Sequence, residues 1–222
     1  MDAQSPVSGE VFKEALSKTI KPKPGRITAI LINGPPLAGK DEAAKAICSI
    51  PGLEPIWRPF AHELKAMCGR LFNSGKSWTY YEHMKDKPHS DFRGMTPREM
   101  YIWMAEEVIK PKFGITFFPD IALEYYFSQI HKNGSSVKNS HTNPLLVSDC
   151  GFNAELPPIL KRFKISNCLI IRVKRRGHTF ENDSREYIRK KNGLHVVDIK
   201  NNSTLADYKT KVIDVARTFL EG

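Results

Sequence analysis

A predominantly apolar run that ends at a glycine-bounded loop constrains this chain more than any other feature. Ile27–Asn33 is rich in β-branched residues, and the loop that follows, from Gly34 to Lys40, reads GPPLAGK. Asp41, Glu42 and several alanines come next, which is typical of the first turns of a helix. A strand, a G-x-x-x-x-G-K loop and a helix in this order predict a phosphate-binding loop. Glycine amides and the helix N-terminus would converge on one anion, and the lysine would reach the outer phosphates.

Asp41 departs from the full phosphate-loop signature, in which Ser or Thr follows the lysine and binds magnesium. A carboxylate also binds a hard cation, directly or through water, so Asp41 is predicted to lie beside Mg²⁺. The alternative is a chance Gly-Lys loop in an ordinary α/β protein. The residues predicted to bind ATP are Gly34, Pro36, Leu37, Ala38, Gly39, Lys40, Asp41 and Glu42.

Composition sets broader limits on the chain. It has 222 residues, 41% of them hydrophobic, which is enough for one sizeable core or for a core plus a small lid. The first residues do not resemble a signal peptide and no stretch has the length of a membrane span, so we expect a cytoplasmic protein without a membrane partner. The net charge of +10 fits a protein that handles polyanions, and both nucleotides and nucleic acids are polyanions.

Strand-like and helix-like patterns alternate along the chain, which predicts an α/β fold with a three-layer, doubly wound parallel sheet. Residues 1–23 are predicted to be an N-terminal extension and 24–222 a single domain. Within it we expect an acceptor-binding region at 54–110 and a lid at 174–192. The predicted strands are Ile27–Asn33, Glu54–Ala61, Leu145–Asp149, Cys168–Val173 and Leu194–Ile199.

Asp149 and Arg98 are the leading candidates for the acceptor side of a site. Asp149 ends an apolar strand, where ligands of such sheets bind, although Asp is also common in turns after strands. Thr96, Pro97 and Glu99 form a helix-start pattern, which places Arg98 in a first turn where a cation opposes the helix dipole. That placement indicates an anionic partner, with a solvent-facing arginine as the alternative.

Weaker candidates complete the acceptor side and the metal site. Phe60 is predicted to contact a base, whereas Trp103 is read as a core residue. Lys65 and Arg70 are also assigned to acceptor binding, Arg70 as a weaker candidate than Arg98 for the anionic group. Asp149 is assigned to Mg²⁺ together with Asp41.

The predicted lid carries cations on both of its arms. Arg175 and Arg176 lie on the first arm, Arg185 lies on the second, and Asp183 could pair with Arg185 or Arg176. Phosphoryl transfer needs positive charge around the migrating group and exclusion of water, which an arginine-bearing lid supplies. The alternative is an exposed basic loop.

Four stretches together give the chain a resemblance to a known family. They are Gly34–Asp41, Met95–Arg98, Ser148–Glu155 and the residues from Arg172 to Arg185. With them the chain resembles the deoxynucleoside monophosphate kinases of bacteriophages, which are P-loop kinases with an adenylate-kinase-like fold. The resemblance covers most of the chain from about Ile27 onward, and the Gly-Lys-Asp form of the loop resembles that family too.

The resemblance implies transfer of the ATP γ-phosphate to a deoxynucleoside monophosphate with Mg²⁺, in a homodimer, and in the host cytoplasm if the protein is phage-encoded. It implies that Gly34, Gly39 and Lys40 form the phosphate loop. Arg98 would bind the acceptor phosphate, Asp149 would be the acidic residue of the site, and the lid would hold Arg175, Arg176 and Arg185.

Two other functions stay open at this point. A phosphomevalonate-type small-metabolite kinase also uses a Gly-Lys-Asp loop and would differ in its acceptor. An ATP-sensing nucleic-acid-binding protein would explain the positive charge, but the sequence lacks a recognition-helix motif and a single concentrated basic run. Nucleic acid is therefore not the expected partner.

Overall fold

A computed structural model describes residues 6–72, 76–132, 142–181 and 183–222, and for residues 6–8, 78 and 132 it describes the backbone alone. The first five residues of the predicted N-terminal extension, residues 73–75 of the predicted acceptor-binding region and residue 182 of the predicted lid lie outside the described residues. None of the described helices is long and apolar enough to cross a membrane.

Nine α-helical segments and five strands alternate along the described chain. The strands are β1 Ala29–Asn33, β2 Ile56–Trp57, β3 Leu145–Val147, β4 Cys168–Lys174 and β5 His195–Lys200. The helices are α1 Pro6–Ser17, α2 Lys40–Cys48, α3 Ala61–Leu71, α4 Trp78–His83, α5 Pro97–Trp103, α6 Lys110–Phe113, α7 Phe117–Lys132, α8 Leu156–Arg162 and α9 Leu205–Glu221.

The strands form one parallel sheet in the order β2-β3-β1-β4-β5. The central strand β1 pairs with β3 on one side and β4 on the other, so the chain winds away from it in both directions. This confirms the α/β fold with a parallel sheet flanked by helices. In such sheets the ligand crevice lies outside the carboxyl ends of the strands, where the winding direction reverses. Here that point is the carboxyl end of β1.

Alternate residues of β1 pack on opposite faces of the sheet. Ile30 and Ile32 belong to a core that includes Ile47 of α2 and Ile213 of α9. Leu31 points the other way and is also fully buried, so both faces of the sheet are covered. A strand buried on both faces reads as a continuous apolar run, which is why its position could be predicted.

The chain divides into two compact units, Met1–Pro59 with Glu124–Gly222, and Phe60–Leu123. The first contains the whole sheet and α1. Phe12 and Leu16 of α1 pack against the core beneath α9, and Arg217 of α9 donates to the carbonyl of Ala15 at 3.2 Å.

The second unit contains α3 to α6 and the first part of α7. Strand β2, which precedes this unit in the chain, is shorter than predicted. The predicted strand at 54–61 is reduced to Ile56–Trp57, and α3 begins at Ala61. The helical stretch that begins with α5 continues through a π-helical stretch, Met104–Ile109, into α6. Pro111 is compatible with this because it lies in the first turn of α6, where no backbone donor is needed.

Candidate phosphate-binding site

The loop between β1 and α2 needs glycine at both ends. A Cβ at Gly34 would lie 2.7 Å from the carbonyl oxygen of Val173, and Gly39 has a φ of 102°. Side chains are excluded by the first contact and strained by the second backbone conformation. Leu37, at the crest, also has a positive φ of 59° and is 70% exposed. The two glycines of the motif are therefore explained by close approach and by backbone conformation.

Three successive carbonyl groups of the loop are turned outward. The carbonyls of Leu37, Ala38 and Gly39 accept from the side chains of Arg175 at 2.9 Å, Asn201 at 2.8 Å and Tyr208 at 3.0 Å. In a planar trans peptide the N–H points away from the preceding carbonyl. The amides that follow Ala38 and Gly39 therefore face the interior of the loop, as anion binding requires.

Helix α2 starts with its amino end directed at this loop. Its first helical bond runs from the amide of Ala43 to the carbonyl of Gly39 at 3.0 Å, and no described side chain caps the N-terminus. The amides of its first turn, from Lys40 to Glu42, therefore remain available as donors, and the helix dipole adds partial positive charge there. Pro35 and Pro36 contribute no amide, which leaves more of the anion contact to Lys40.

Lys40 folds back over the loop that precedes it. Its Nζ donates to the carbonyls of Gly34 at 2.8 Å and Pro35 at 2.7 Å. Burial and the nearby Arg185 guanidinium lower the pKa of Lys40 to about 8, against the opposite effect of Asp149 and neighbouring carboxylates. A lysine with a depressed pKa at the mouth of such a loop is a group whose charge an incoming polyphosphate would stabilise.

Arg185 is held beside Lys40 by its own segment. Its Nε donates to Asp183 Oδ1 at 2.8 Å and its Nη2 donates to the other oxygen of the same carboxylate. The hydrogen bonds with Asp183 raise the pKa of Arg185 and lower that of Asp183. The aliphatic part of Arg185 lies on Gly151, where a Cβ would meet its Cδ at 2.5 Å. The pairing of Asp183 with Arg185, one of two predicted options, is present.

Asn33 is a residue of this site that sequence reasoning missed. It is fully buried at the end of β1, and its Nδ2 donates to the carbonyls of Cys150 at 2.9 Å and Glu186 at 3.0 Å. Its Oδ1 accepts from the amide of Ile188 at 3.0 Å. One side chain thus joins β1 to the loop after β3 and to the segment that carries Arg185. A polar residue that ends a buried apolar run was the only signal for it in the sequence.

Asp149 lies at the carboxyl end of β3, the strand next to β1. The preceding Ser148 is fixed by Trp57, whose Nε1 donates to its Oγ at 3.1 Å. Beyond it, Glu155 accepts from the amides of Gly151 at 2.8 Å and Phe152 at 3.0 Å. Both sides of Asp149 are therefore anchored, and its charge raises the pKa of Lys40 and Arg185.

The described residues contain no cluster of three or more His, Cys, Asp or Glu side chains suited to a metal ion. Mg²⁺ does not need such a cluster in phosphoryl-transfer sites, where one or two carboxylates act together with phosphate oxygens and water. Asp41 is exposed on the first turn of α2, and Asp149 lies near Lys40. The role of these two carboxylates as Mg²⁺ ligands stays a prediction.

Arg176, the remaining arginine of the predicted lid, has no side-chain hydrogen bond to the loop in the described part of the chain. Its side chain is exposed, and only its backbone amide is fixed, by Asn202 Oδ1 at 2.7 Å.

The predicted acceptor-side residues apart from Asp149 lie in the second unit. The capping box of Thr96 and Glu99 is present, and Arg98 Nε donates to Asp86 Oδ1 at 2.6 Å. Lys65 pairs with Glu82 at 2.6 Å, and Arg70 is exposed. Phe60 is only 4% exposed, which leaves little ring surface for the predicted base contact. The functional roles of Phe60, Lys65, Arg70 and Arg98 stay predictions.

Comparisons with known proteins add little to this geometry. No protein-family model and no curated protein sequence matches the chain. A sugar kinase from Janibacter sp. HTCC2649, whose crystal structure is unliganded, is similar to 87% of this chain over 94% of its own, with 10% sequence identity and a TM-score of 0.44. A similarity of this extent carries no argument about activity or substrate.

Proposed function

We propose that the protein is an ATP-dependent kinase that transfers the γ-phosphate to a deoxynucleoside monophosphate. The observation that carries the proposal is the loop before α2: inward-facing amides, a helix amino end and Lys40, with Arg185 nearby. Such an arrangement supplies positive charge where phosphoryl transfer develops negative charge. The acceptor class rests on the resemblance of four sequence stretches to phage deoxynucleoside monophosphate kinases.

In this proposal Lys40 leaves the carbonyls of Gly34 and Pro35 and contacts the outer phosphates of ATP. The loop amides and the first turn of α2 bind the remaining phosphate oxygens. Mg²⁺, held by Asp41 and Asp149 with the phosphates, would neutralise charge on the transferring group. Arg185 faces that group from the lid, and Arg98 orients the acceptor. The reaction is an in-line transfer with no covalent enzyme intermediate.

Lys40→Ala tests the proposal directly. We expect turnover to fall by about two or three orders of magnitude, as on removal of a preorganised donor, while the thermal unfolding midpoint changes little. ADP release is measured in a coupled assay with ATP and a panel of ribo- and deoxynucleoside monophosphates. Lys45→Ala is the matched control, because Lys45 lies on the same helix and pairs only with Glu42 in the described structure. Normal turnover of folded Lys40→Ala protein would refute the assignment.

The same panel tests the acceptor. Phosphorylation of mevalonate phosphate with no activity on nucleotides would replace the proposed acceptor by a small metabolite and keep the kinase chemistry. Size-exclusion chromatography with light scattering checks the predicted homodimer separately.

A further inference from the structure

Arg58 is a second cation at the carboxyl edge of the sheet that no sequence motif singled out. It follows β2 directly, and its amide donates to the carbonyl of Leu146 in β3 at 2.8 Å. The sheet order places β3 between β2 and β1. Neighbouring strands lie about 4.8 Å apart, so Arg58 starts roughly 10 Å from β1, within the span of one acceptor molecule.

The guanidinium of Arg58 lies over an aromatic ring. Its Cζ lies 3.9 Å from the centroid of the Tyr125 ring on α7, and the side chain is half-buried. The guanidinium is itself planar, and its N–H groups can bind phosphate or carboxylate through two parallel hydrogen bonds. The contact with the ring restricts the positions that this planar group can take. Trp57, the residue before it, is fixed to Ser148, so the backbone that carries Arg58 is anchored next to Asp149.

We propose that Arg58 binds the anionic phosphate of the acceptor, on the side of Asp149 away from β4. This inference rests on the proposed kinase function and adds a residue that would bind the phosphate of its acceptor. In this proposal the donor phosphates bind at the loop after β1, and the acceptor phosphate binds at the carboxyl end of β2. Arg58 should not contribute to the binding of an unphosphorylated nucleoside, because such a molecule has no anionic group for the guanidinium to bind.

The test compares Arg58→Gln and Arg58→Lys with the wild-type protein. KM values are measured for ATP and for dAMP, dGMP, dCMP and dTMP, and binding of a fluorescent ATP analogue is measured separately. We expect Arg58→Gln to raise the acceptor KM about 10- to 100-fold and the ATP KM less than about twofold, since one charge-assisted contact is lost. Arg58→Lys should lie between, because an ammonium keeps the charge and loses the planar fork.

Arg162→Gln is the matched control. Arg162 stacks on Phe127 of the same helix α7, with its Cζ 4.5 Å from the ring centroid, but it lies at the end of α8. This variant should change neither KM. Tyr125→Leu keeps Arg58 and removes its support, and we expect it to raise the acceptor KM by about two- to fivefold. If Arg58→Gln does not fold, Arg58→Lys and Tyr125→Leu decide the question.

The outcomes separate the two proposals. Unchanged acceptor KM values in the Arg58 variants, or equal increases for ATP and acceptor, would overturn the role of Arg58 and leave the kinase function intact. Absence of ATP binding in the wild-type protein would overturn the kinase function, and the inference with it. A raised acceptor KM in Arg58→Gln, with normal binding of the ATP analogue, supports both.

Discussion

The two arms of the segment between β4 and β5 each carry two arginines but differ in how they are held. The first arm, Arg175–Thr179, is mostly exposed, and among the described residues its hydrogen bond to the candidate phosphate loop is the one from Arg175 to the carbonyl of Leu37. The second arm, Asp183–Arg189, is fastened by backbone bonds to Asn33, Gly151 and Asn153. A cation on a fastened arm is already positioned before substrate arrives, whereas a cation on a loose arm must be ordered first.

This difference predicts that Arg185 contributes most to catalysis among the lid arginines. Arg185→Ala should lower kcat about 100- to 1,000-fold in the coupled assay, since a preorganised cation next to Lys40 is lost. Arg185→Lys should recover part of the rate, and circular dichroism with thermal unfolding checks that both variants are folded. A kcat within about threefold of wild type would show that a fastened cation here has no part in the reaction.

Asn33→Ala tests the hydrogen bonds that hold the second arm to β1. We expect the free energy of unfolding to fall by about 3 kcal/mol in urea titrations, because buried donors and acceptors lose their partners. Amide hydrogen exchange should accelerate at Ile188, whose N–H donates to Asn33. Asn153→Ala, which removes a more exposed contact to the same arm, should cost about 1 kcal/mol or less. An equal decrease in the free energy of unfolding in the two variants would show that the buried hydrogen bonds of Asn33 contribute no more than the exposed one of Asn153.

The pKa of Lys40 is about 8 in the free protein. The role of this lysine in the loop can therefore be tested through the pH dependence of ATP binding. A bound polyphosphate favours the protonated lysine and raises its pKa, so above pH 8 binding must take up a proton. Affinity for ATP should therefore fall by up to about tenfold per pH unit between pH 8 and 10. Calorimetry in buffers of different ionisation enthalpy measures the proton uptake, and Lys40→Met should abolish it.

Stability should change in the opposite direction over the same range. The folded-state pKa of Lys40 is below its ordinary value of 10.5. Between pH 8 and that value the unfolded chain binds more protons at Lys40 than the folded one, so this residue makes the ligand-free protein more stable as pH rises. A wild-type stability that lacks this rise relative to Lys40→Met would contradict the lowered pKa.

The smallest effects are expected on the first arm. Arg175→Ala removes an exposed hydrogen bond to the carbonyl of Leu37 and should raise the KM for ATP about fivefold. Arg176→Ala should have a smaller effect, because its side chain is exposed and only its backbone is fixed. If either variant lost more activity than Arg185→Ala, the first arm would contribute more to the reaction than the second, contrary to this prediction.

Local features of this fold could be predicted from sequence because their causes are local. The buried strand, the glycine loop and the start of α2 depend on adjacent residues, as does the capping box at Thr96. Asn33 could not be assigned, because its partners lie 117 and 153 or more residues away in the chain. The reading of Trp103 as a core residue was wrong: it is 44% exposed, while Met100 and Met104 on the same helical stretch are buried.

Pro35 and Pro36 give the phosphate loop a property that its contacts alone do not convey. Each ring fixes one backbone torsion, so the unbound chain samples fewer shapes at this position. Ordering a flexible residue costs about 1–2 kcal/mol, and a loop that is already restricted avoids part of that penalty when it closes on an anion. The smaller entropic cost of ordering the loop thus offsets the loss of the two N–H donors that the prolines lack. We expect ATP to associate with a loop that needs little rearrangement.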